Sequence, residues 1–123
     1  MKALLFSILL AGAAAILPAD DTPSLTGKWA IHTSINGNES DQVCTIEQKG
    51  PDLTGNCSSD QGSGSITGKV DAKKVTWTYK STYNGNPLTA IYNGTIETAK
   101  ITGGISVVEF GVDGSFAATP SKP

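Results

Sequence analysis

Apolar and polar residues alternate along most of this chain with a period of two. The alternation is clearest over residues 74–81, where Val75, Trp77 and Tyr79 fall on one face. No segment after Pro23 shows the period of three to four residues that an amphipathic helix produces. The pattern therefore predicts half-buried β-strands, each with one face on a core.

Eight strands are predicted from this alternation, separated by short turns rich in Gly, Asn, Asp and Pro. They cover residues 25–35, 42–48, 53–59, 65–70, 74–81, 88–97, 100–108 and 115–118. Strands joined by short turns usually pair with their sequence neighbours, as in a meander. Eight strands also suffice for a closed barrel whose interior is just filled or holds one small ligand. The expected fold class is all-β: an eight-stranded, antiparallel, up-and-down barrel.

An apolar residue followed by Thr and Gly occurs four times, at residues 25–27, 53–55, 66–68 and 101–103. In a strand, the apolar residue and the Gly share the packed face and the Thr faces the other way. A Gly on that face lets the strand bend and lets a large neighbour lie over it. We therefore predict structural roles at these points of curvature, for Gly27, Gly55, Gly68 and Gly103, and a barrel-filling role for Trp29.

The two cysteines flank a strong turn signal at Gly50-Pro51. Folding the chain about this turn brings Cys44 opposite Cys57 and residue 46 opposite residue 55. Directly paired strand positions are close enough for a disulfide, which is what we predict. A free nucleophilic thiol and a metal-binding pair are the alternatives, but the chain has one His and no second Cys pair. No metal site is predicted.

The N-terminus has the pattern of a secretory signal peptide: Lys2, an apolar run over residues 3–16, and then small residues. Cleavage after Ala15 and cleavage after Ala19 both fit, and we favour Ala19. A buried N-terminal helix is the alternative. The expected organisation is a signal peptide over 1–19, a flexible lead over 20–24, one barrel domain over 25–119 and a frayed tail over 120–123. The expected location, secreted or periplasmic, is oxidising and suits a disulfide.

The charge pattern argues against several partners. The chain has 9 basic and 11 acidic residues, a net charge of −2, and every basic residue is Lys. Arg is the usual residue for bidentate phosphate recognition, and no basic run occurs. We therefore expect no nucleic-acid partner. The apolar run is too short to span a bilayer comfortably and no Cys follows it for lipidation, so no membrane anchor is expected.

Catalysis usually needs converging His, Cys and carboxylate side chains. The single histidine, His32, has the parity opposite to the apolar residues of its strand and is expected to face solvent. Nothing in the sequence pairs the candidate carboxylates, which are Glu47, Glu97, Glu109 and Asp113. No Gly-rich loop opens a helix for phosphate binding. We predict a protein that is not an enzyme and has no cofactor.

Aromatic residues of the packed faces are the natural lining of a ligand site in a barrel mouth. Trp77, Tyr79 and Tyr92 are the candidates. The alternative for all three is that they only fill the barrel.

The segment Gly27-Lys28-Trp29, on the first strand of a secreted eight-stranded barrel, resembles the calycin group, which includes the lipocalins and avidins. Residues 24–29 resemble the first avidin strand, 53–55 the third and 75–94 the central hairpin, and 111–116 loosely resemble the last. The resemblance implies ligand-binding positions near Trp77, Tyr92 and Asp113. Two avidin ligand positions are not kept, because they hold Ile31 and Cys57, and the chain lacks the Arg that lipocalins pack on the Trp.

The pattern of a barrel with a Gly-x-Trp first strand and a nearby Cys pair also resembles small periplasmic metalloprotease inhibitors. The N-terminal segment of these inhibitors enters the protease cleft. That segment would be residues 20–24 here. Our leading hypothesis is a secreted, non-enzymatic barrel that binds a small apolar or vitamin-like ligand, or a secreted protein, at an open end. A protease inhibitor, a biotin-binding avidin-like protein and a structural module without a pocket are the alternatives.

Overall fold

The computed structural model describes residues 24–60 and 62–121. The predicted signal peptide lies outside the described residues, and so does the predicted lead apart from Ser24. No helix long and apolar enough to cross a membrane occurs in the part of the chain that is described.

Eight antiparallel strands form one closed barrel. They are β1 (Gly27–Ile35), β2 (Asn38–Lys49), β3 (Asp52–Ser59), β4 (Gly62–Asp71), β5 (Lys74–Tyr83), β6 (Asn86–Glu97), β7 (Lys100–Val107) and β8 (Val112–Pro120). Each strand pairs with the next, and β8 pairs back onto β1. The predicted all-β meander barrel is confirmed, and no sheet edge is left open.

Two hairpin turns are tighter than the sequence analysis assumed. Asn36-Gly37 and Asn84-Gly85 have positive φ at both positions, 51° and 82° in the first and 53° and 80° in the second. Paired positive φ values are typical of the two-residue turn whose twist matches that of the flanking strands. Pairing therefore reaches the turns, so β2 begins at Asn38 instead of residue 42 and β6 at Asn86 instead of residue 88.

Several other strand limits also move outward, because backbone pairing does not require an apolar side chain. Two move inward: β1 begins at Gly27 instead of residue 25, and β7 ends at Val107 instead of residue 108. β4 begins at Gly62 instead of residue 65, and β8 begins at Val112 instead of residue 115. At the C-terminus, Pro120 is paired with Trp29. The amide of Ser121 then donates to the carbonyl of Lys28 at 2.8 Å. Strand pairing thus continues past the predicted domain limit at residue 119.

The predicted disulfide is confirmed: Cys44 and Cys57 are bonded and occupy directly paired positions of β2 and β3. Ile46 faces Gly55 in the same register, as predicted. Both cysteines are buried, so the bond ties the two strands from inside the barrel.

Glycines of the repeated phrase lie where strands approach closely. A β-carbon at Gly55, Gly68 or Gly103 would lie 1.9–2.2 Å from a backbone oxygen of the neighbouring strand. At Gly68 it would also lie 2.6 Å from the β-carbon of Trp77, so a large neighbour does lie over this glycine. Gly27 differs from the expectation: it pairs with the buried Ile46 but is itself exposed, and its φ of 139° is one that other residues rarely adopt. Its role is a bend in the backbone, not a gap for a neighbour.

The barrel has two unlike ends. The closed end carries the turns at 50–51, 72–73 and 98–99, and it is covered by Leu25, which is 1% exposed. The amide of Leu25 donates to Oε1 of Gln48 at 2.7 Å, and its carbonyl accepts from Nε1 of Trp29 at 2.9 Å. The open end carries the turns at 36–37 and 84–85 and the loop over 108–111. No described segment lies across it in the way that Leu25 covers the closed end.

Candidate ligand-binding site

The open end of the barrel leads into a cavity of about 400 Å³. Its walls come from the last residues of β1, β5 and β7 and the first residues of β2 and β6. Small-molecule pockets commonly measure about 300–1,000 Å³. The cavity is therefore large enough for a small organic ligand.

One wall of the cavity is aliphatic. It is formed by inward-facing residues of β6 and β7, namely Leu88, Ala90, Ile105 and Val107. Their side chains share one face because each strand turns every second residue inward. This wall suits the apolar body of a ligand.

The facing wall carries hydroxyl and amide groups. Thr33 Oγ1 and Ser40 Oγ are 2.6 Å apart, and Thr33 is only 5% exposed. Nε2 of Gln42 donates to the Tyr92 hydroxyl at 2.9 Å. These bonds leave the Gln42 carbonyl free to accept and the Tyr92 hydroxyl proton free to be donated. A ligand therefore meets both donors and acceptors on this side.

Tyr92 lies at the floor of the cavity and is held by other rings. It stacks on Trp77, with ring centroids 5.1 Å apart and planes at 24°, and it meets the edge of Phe116 at 5.0 Å. Burial raises the pKa of the Tyr92 hydroxyl, so the phenol stays neutral. The ring is fixed before any ligand arrives, which reduces the ordering cost of binding.

Trp77 does not line the cavity. It is 1% exposed and lies between Gly68 and the ring of Tyr92. Its Nε1 is buried and has no hydrogen-bond partner among the described residues. The structure thus places this predicted ligand residue beneath the site, where it supports Tyr92.

Tyr79 does line the cavity, and its position depends on Gly64, which is not part of the repeated phrase. A β-carbon at Gly64 would lie 2.7 Å from a carbon of the Tyr79 ring. Gly64 therefore leaves the space that the ring occupies. Gly64 lies outside the predicted strand over residues 65–70, but its inward parity on the longer β4 is a signal for this role.

An exposed aromatic pair flanks the opening. Tyr83 and Phe110 are 56% and 60% exposed, and their rings meet edge to face with centroids 6.3 Å apart. The loop over 108–111, which carries Phe110, is held by the Glu109 carboxylate. This carboxylate accepts hydrogen bonds from the amide and the hydroxyl of Thr89, at 2.7 and 2.8 Å. These hydrogen bonds lower the pKa of Glu109. Periodicity gives no signal for this pair, because Tyr83 and Phe110 are far apart in the chain.

Asp113, implied as a ligand residue by the avidin resemblance, is exposed on the outer face of β8. Its carboxylate accepts a hydrogen bond from Ser106 Oγ at 2.7 Å. The inward positions beside it are Val112 and Gly114. The structure therefore does not bring Asp113 together with Tyr79 and Tyr92.

His32 faces solvent, as predicted, but it is not isolated. Its Nε2 lies 2.5 Å from Glu39 Oε1, and its Nδ1 lies 2.7 Å from Asp41 Oδ1. The hydrogen bonds to Asp41 and then to Glu39 raise the pKa of His32, because both carboxylates favour a ring with two N–H donors. The pKa of Glu39 is lowered, first by the hydrogen bond from Ser34 and then by that from His32.

Within 24–60 and 62–121, no group of three or more His, Cys, Asp or Glu side chains is arranged to hold a metal ion.

The sequence matches no protein-family model, and no curated protein matches it significantly. The closed eight-stranded antiparallel barrel is consistent with a calycin-like fold. The cavity and its lining therefore carry the functional argument.

Proposed function

We propose that this protein binds a small molecule in the open end of its barrel and performs no chemistry on it. One observation carries the proposal: the barrel is covered at one end by Leu25 and opens at the other into a cavity of about 400 Å³. Concave, largely pre-formed pockets with a few converging polar groups are the usual form of a small-molecule site. The Cys44–Cys57 disulfide suits the secreted or periplasmic location that we propose for it.

The two walls of the cavity define how a ligand lies in it. The apolar body rests against Leu88, Ile105 and Val107. The hydrogen-bonding part faces Gln42 and Tyr92, whose mutual bond leaves one acceptor and one donor available. This arrangement favours an amphipathic ligand over a purely apolar one.

Titration with N-phenyl-1-naphthylamine, an uncharged fluorescent probe of suitable size, tests the proposal. We expect saturable binding with one probe per barrel. Ser40→Trp places a large ring at the mouth and should abolish binding. Ser115→Trp is the matched control, because Ser115 is exposed on the outer face of β8. Equal binding by the two variants, or no saturable binding by the unmodified protein, would contradict the proposal.

The biotin-binding alternative is less well supported. Ile31 is 1% exposed in the barrel and Cys57 is in the disulfide, so neither provides the polar ligand group expected at its position. Displacement of the naphthylamine probe by biotin would revive this alternative.

Protease inhibition remains the second candidate, and one contact favours it. Leu25 is held at the closed end by Gln48 and Trp29, so the point at which residues 20–24 join the barrel is fixed. The mature protein should then inhibit secreted metalloproteases, and removal of residues 20–24 should abolish the inhibition. Unchanged inhibition after this truncation would rule out the N-terminal mechanism.

A further inference from the structure

Charge is divided between the two ends of the barrel. Six of the seven described lysines lie in the half next to the closed end: Lys28, Lys49, Lys69, Lys73, Lys74 and Lys100. Five of the nine described acidic residues lie in the half next to the open end: Glu39, Asp41, Asp60, Glu109 and Asp113. Only Lys80 and His32 offset them there. The open half is therefore negative, while the closed half is weakly positive.

Strand direction produces this separation. Successive strands run up and down, so each end of the barrel collects residues from alternate turns. The connections after β1, β3 and β7 carry acidic residues and no lysine, whereas those after β2, β4 and β6 carry lysines together with Asp52, Asp71 and Glu97. Along the sequence the two signs are interspersed, and no run of either is present.

The residues that line the cavity carry the same bias. The acidic residues among them are Glu39, Asp41 and Asp60, and the lining contains no lysine. Glu39 and Asp41 belong to the rim, because their carboxylates bond to His32 on the outer face. A cleft bordered by one sign of charge, with walls of low dielectric, concentrates the field at its opening. Tyr79, Tyr83 and Tyr92 line the same cavity, and the faces of aromatic rings attract cations. Two independent features, the field and the rings, thus favour a positive ligand.

We infer that the natural ligand of the open end is an organic cation: an amine or quaternary ammonium group on an apolar body. This inference rests on the proposed function, because it names the class of molecule that the cavity binds. The apolar body occupies the aliphatic wall formed by Leu88 and Val107, and the cationic group remains at the negative mouth. An anionic ligand of the same shape is repelled there.

Two acidic residues at the rim keep a carboxylate oxygen without a hydrogen bond, and they act on the cation through the field at the mouth. Both oxygens of Glu39 are already bonded, one to His32 and the other to Ser34. Asp41 uses only Oδ1 for His32, on the outer face of the barrel. Asp60 is exposed, and its carboxylate makes no hydrogen bond to the side chains of the other described residues. His32 also offsets part of the charge of its two carboxylate partners. We therefore assign the largest part of the attraction to Asp41 and Asp60.

Three probes with one phenylbutyl body test the inference: 4-phenylbutylammonium, 4-phenylbutan-1-ol and 4-phenylbutanoate, titrated calorimetrically at low ionic strength. The ammonium should bind at least tenfold more tightly than the carboxylate and about three- to tenfold more tightly than the alcohol. Added salt should weaken only the ammonium, because exposed charges are screened over about 10 Å at 0.1 M.

The outcomes separate this inference from the proposed function. Binding of the alcohol as tightly as the ammonium, or more tightly, would overturn the charge selectivity while leaving a small-molecule site intact. Failure of all three probes, together with the naphthylamine, would overturn the proposed function itself.

Carboxylate neutralisation supplies the second test. Asp41→Asn and Asp60→Asn together should weaken the ammonium about tenfold and leave the alcohol unchanged, because a loss of shape would weaken both. Asp71→Asn is the matched control, since Asp71 is exposed beside a turn of the closed end. An ammonium affinity that does not respond to the double substitution would overturn the inference.

Discussion

The closed and open ends of this barrel are made from the same alternation of inward and outward residues, but they are filled differently. At the closed end, Leu25 lies over the core, and both its amide and its carbonyl are hydrogen-bonded. At the open end, the inward residues that line the cavity include Thr33 and Ala90, whose side chains are small. The comparison indicates that a covering segment, more than the strands themselves, decides which end is solid.

The two tryptophans illustrate the same contrast. Nε1 of Trp29 donates to the Leu25 carbonyl at 2.9 Å, so its ring links the core to the covering segment. Nε1 of Trp77 has no partner in the described part of the chain, and its ring instead supports Tyr92 under the cavity. One ring secures the closed end, while the other shapes the floor of the open end.

A matched pair of leucines gives the largest expected difference between the ends. Leu25→Ala should lower the free energy of unfolding by about 3 kcal/mol, because it removes a side chain that is 1% exposed. Leu88→Ala, in the half-exposed cavity wall, should cost about 1 kcal/mol. Urea unfolding of both variants measures the difference. Equal costs would show that the covering segment contributes little to the stability of the barrel.

Two glycines give the next largest effect. Gly68→Ala should cost about 2–3 kcal/mol, because the new methyl group would lie 2.2 Å from a backbone oxygen and against Trp77. Gly104→Ala is the control, since the nearest atom there would be 3.6 Å away. Urea midpoints report the costs. A well-tolerated Gly68→Ala would contradict the close approach of β4 and β5.

Replacing one tryptophan at each end should give a smaller difference in the free energy of unfolding. Trp29→Phe loses a buried hydrogen bond to the Leu25 carbonyl, whereas Trp77→Phe loses none that the structure shows. Because the lost ring area is the same, we expect Trp29→Phe to be about 1 kcal/mol more destabilising. Thermal unfolding of the two variants tests this order, and the reverse order would indicate that Trp77 Nε1 is satisfied in solution.

The smallest effect concerns His32 at the open end. The pKa of His32 is raised in the folded protein, so its pairing with the two carboxylates adds to the free energy of unfolding. This contribution is complete below the unfolded pKa of about 6.5, and it is lost as the pH rises through the folded pKa. Glu39 adds a contribution that is lost as the pH falls, because its pKa is lowered. The charged residues that face His32 are Glu39 and Asp41 on β2, whereas the residue that faces it from β8 is the uncharged Ala117.

Urea midpoints measured between pH 5 and pH 9 test this small effect. The midpoint of the unmodified protein should fall slightly relative to that of His32→Gln as the pH rises. Parallel profiles for the two proteins would show that the surface pairing contributes nothing to stability.

Local rules recovered most of the scaffold. The alternation of residues placed all eight strands, and folding about Gly50-Pro51 placed Cys44 opposite Cys57. The strand limits were too short at the two Asn-Gly turns, although Asn-Gly is the strongest signal for a two-residue hairpin turn. Gly27 pairs with the buried Ile46, as its parity predicts, but it is exposed and nothing packs over it.

The site was recovered less well, for the same reason in each case. Tyr79 and Tyr92 were expected to line a cavity and do so, but Trp77 lies beneath them. The Tyr83–Phe110 pair and the Gln42–Tyr92 bond join residues from distant parts of the chain. Periodicity states which face of a strand a residue occupies but not its height in the barrel, which depends on register and closure.

The sequence by itself determined the strands, their antiparallel order and the disulfide, because these depend on neighbours within one or two hairpins. Only the tertiary structure decided which end is covered, where the cavity lies and how charge is divided between the ends. Those properties arise when β8 closes onto β1 and alternate turns gather at opposite ends of the barrel.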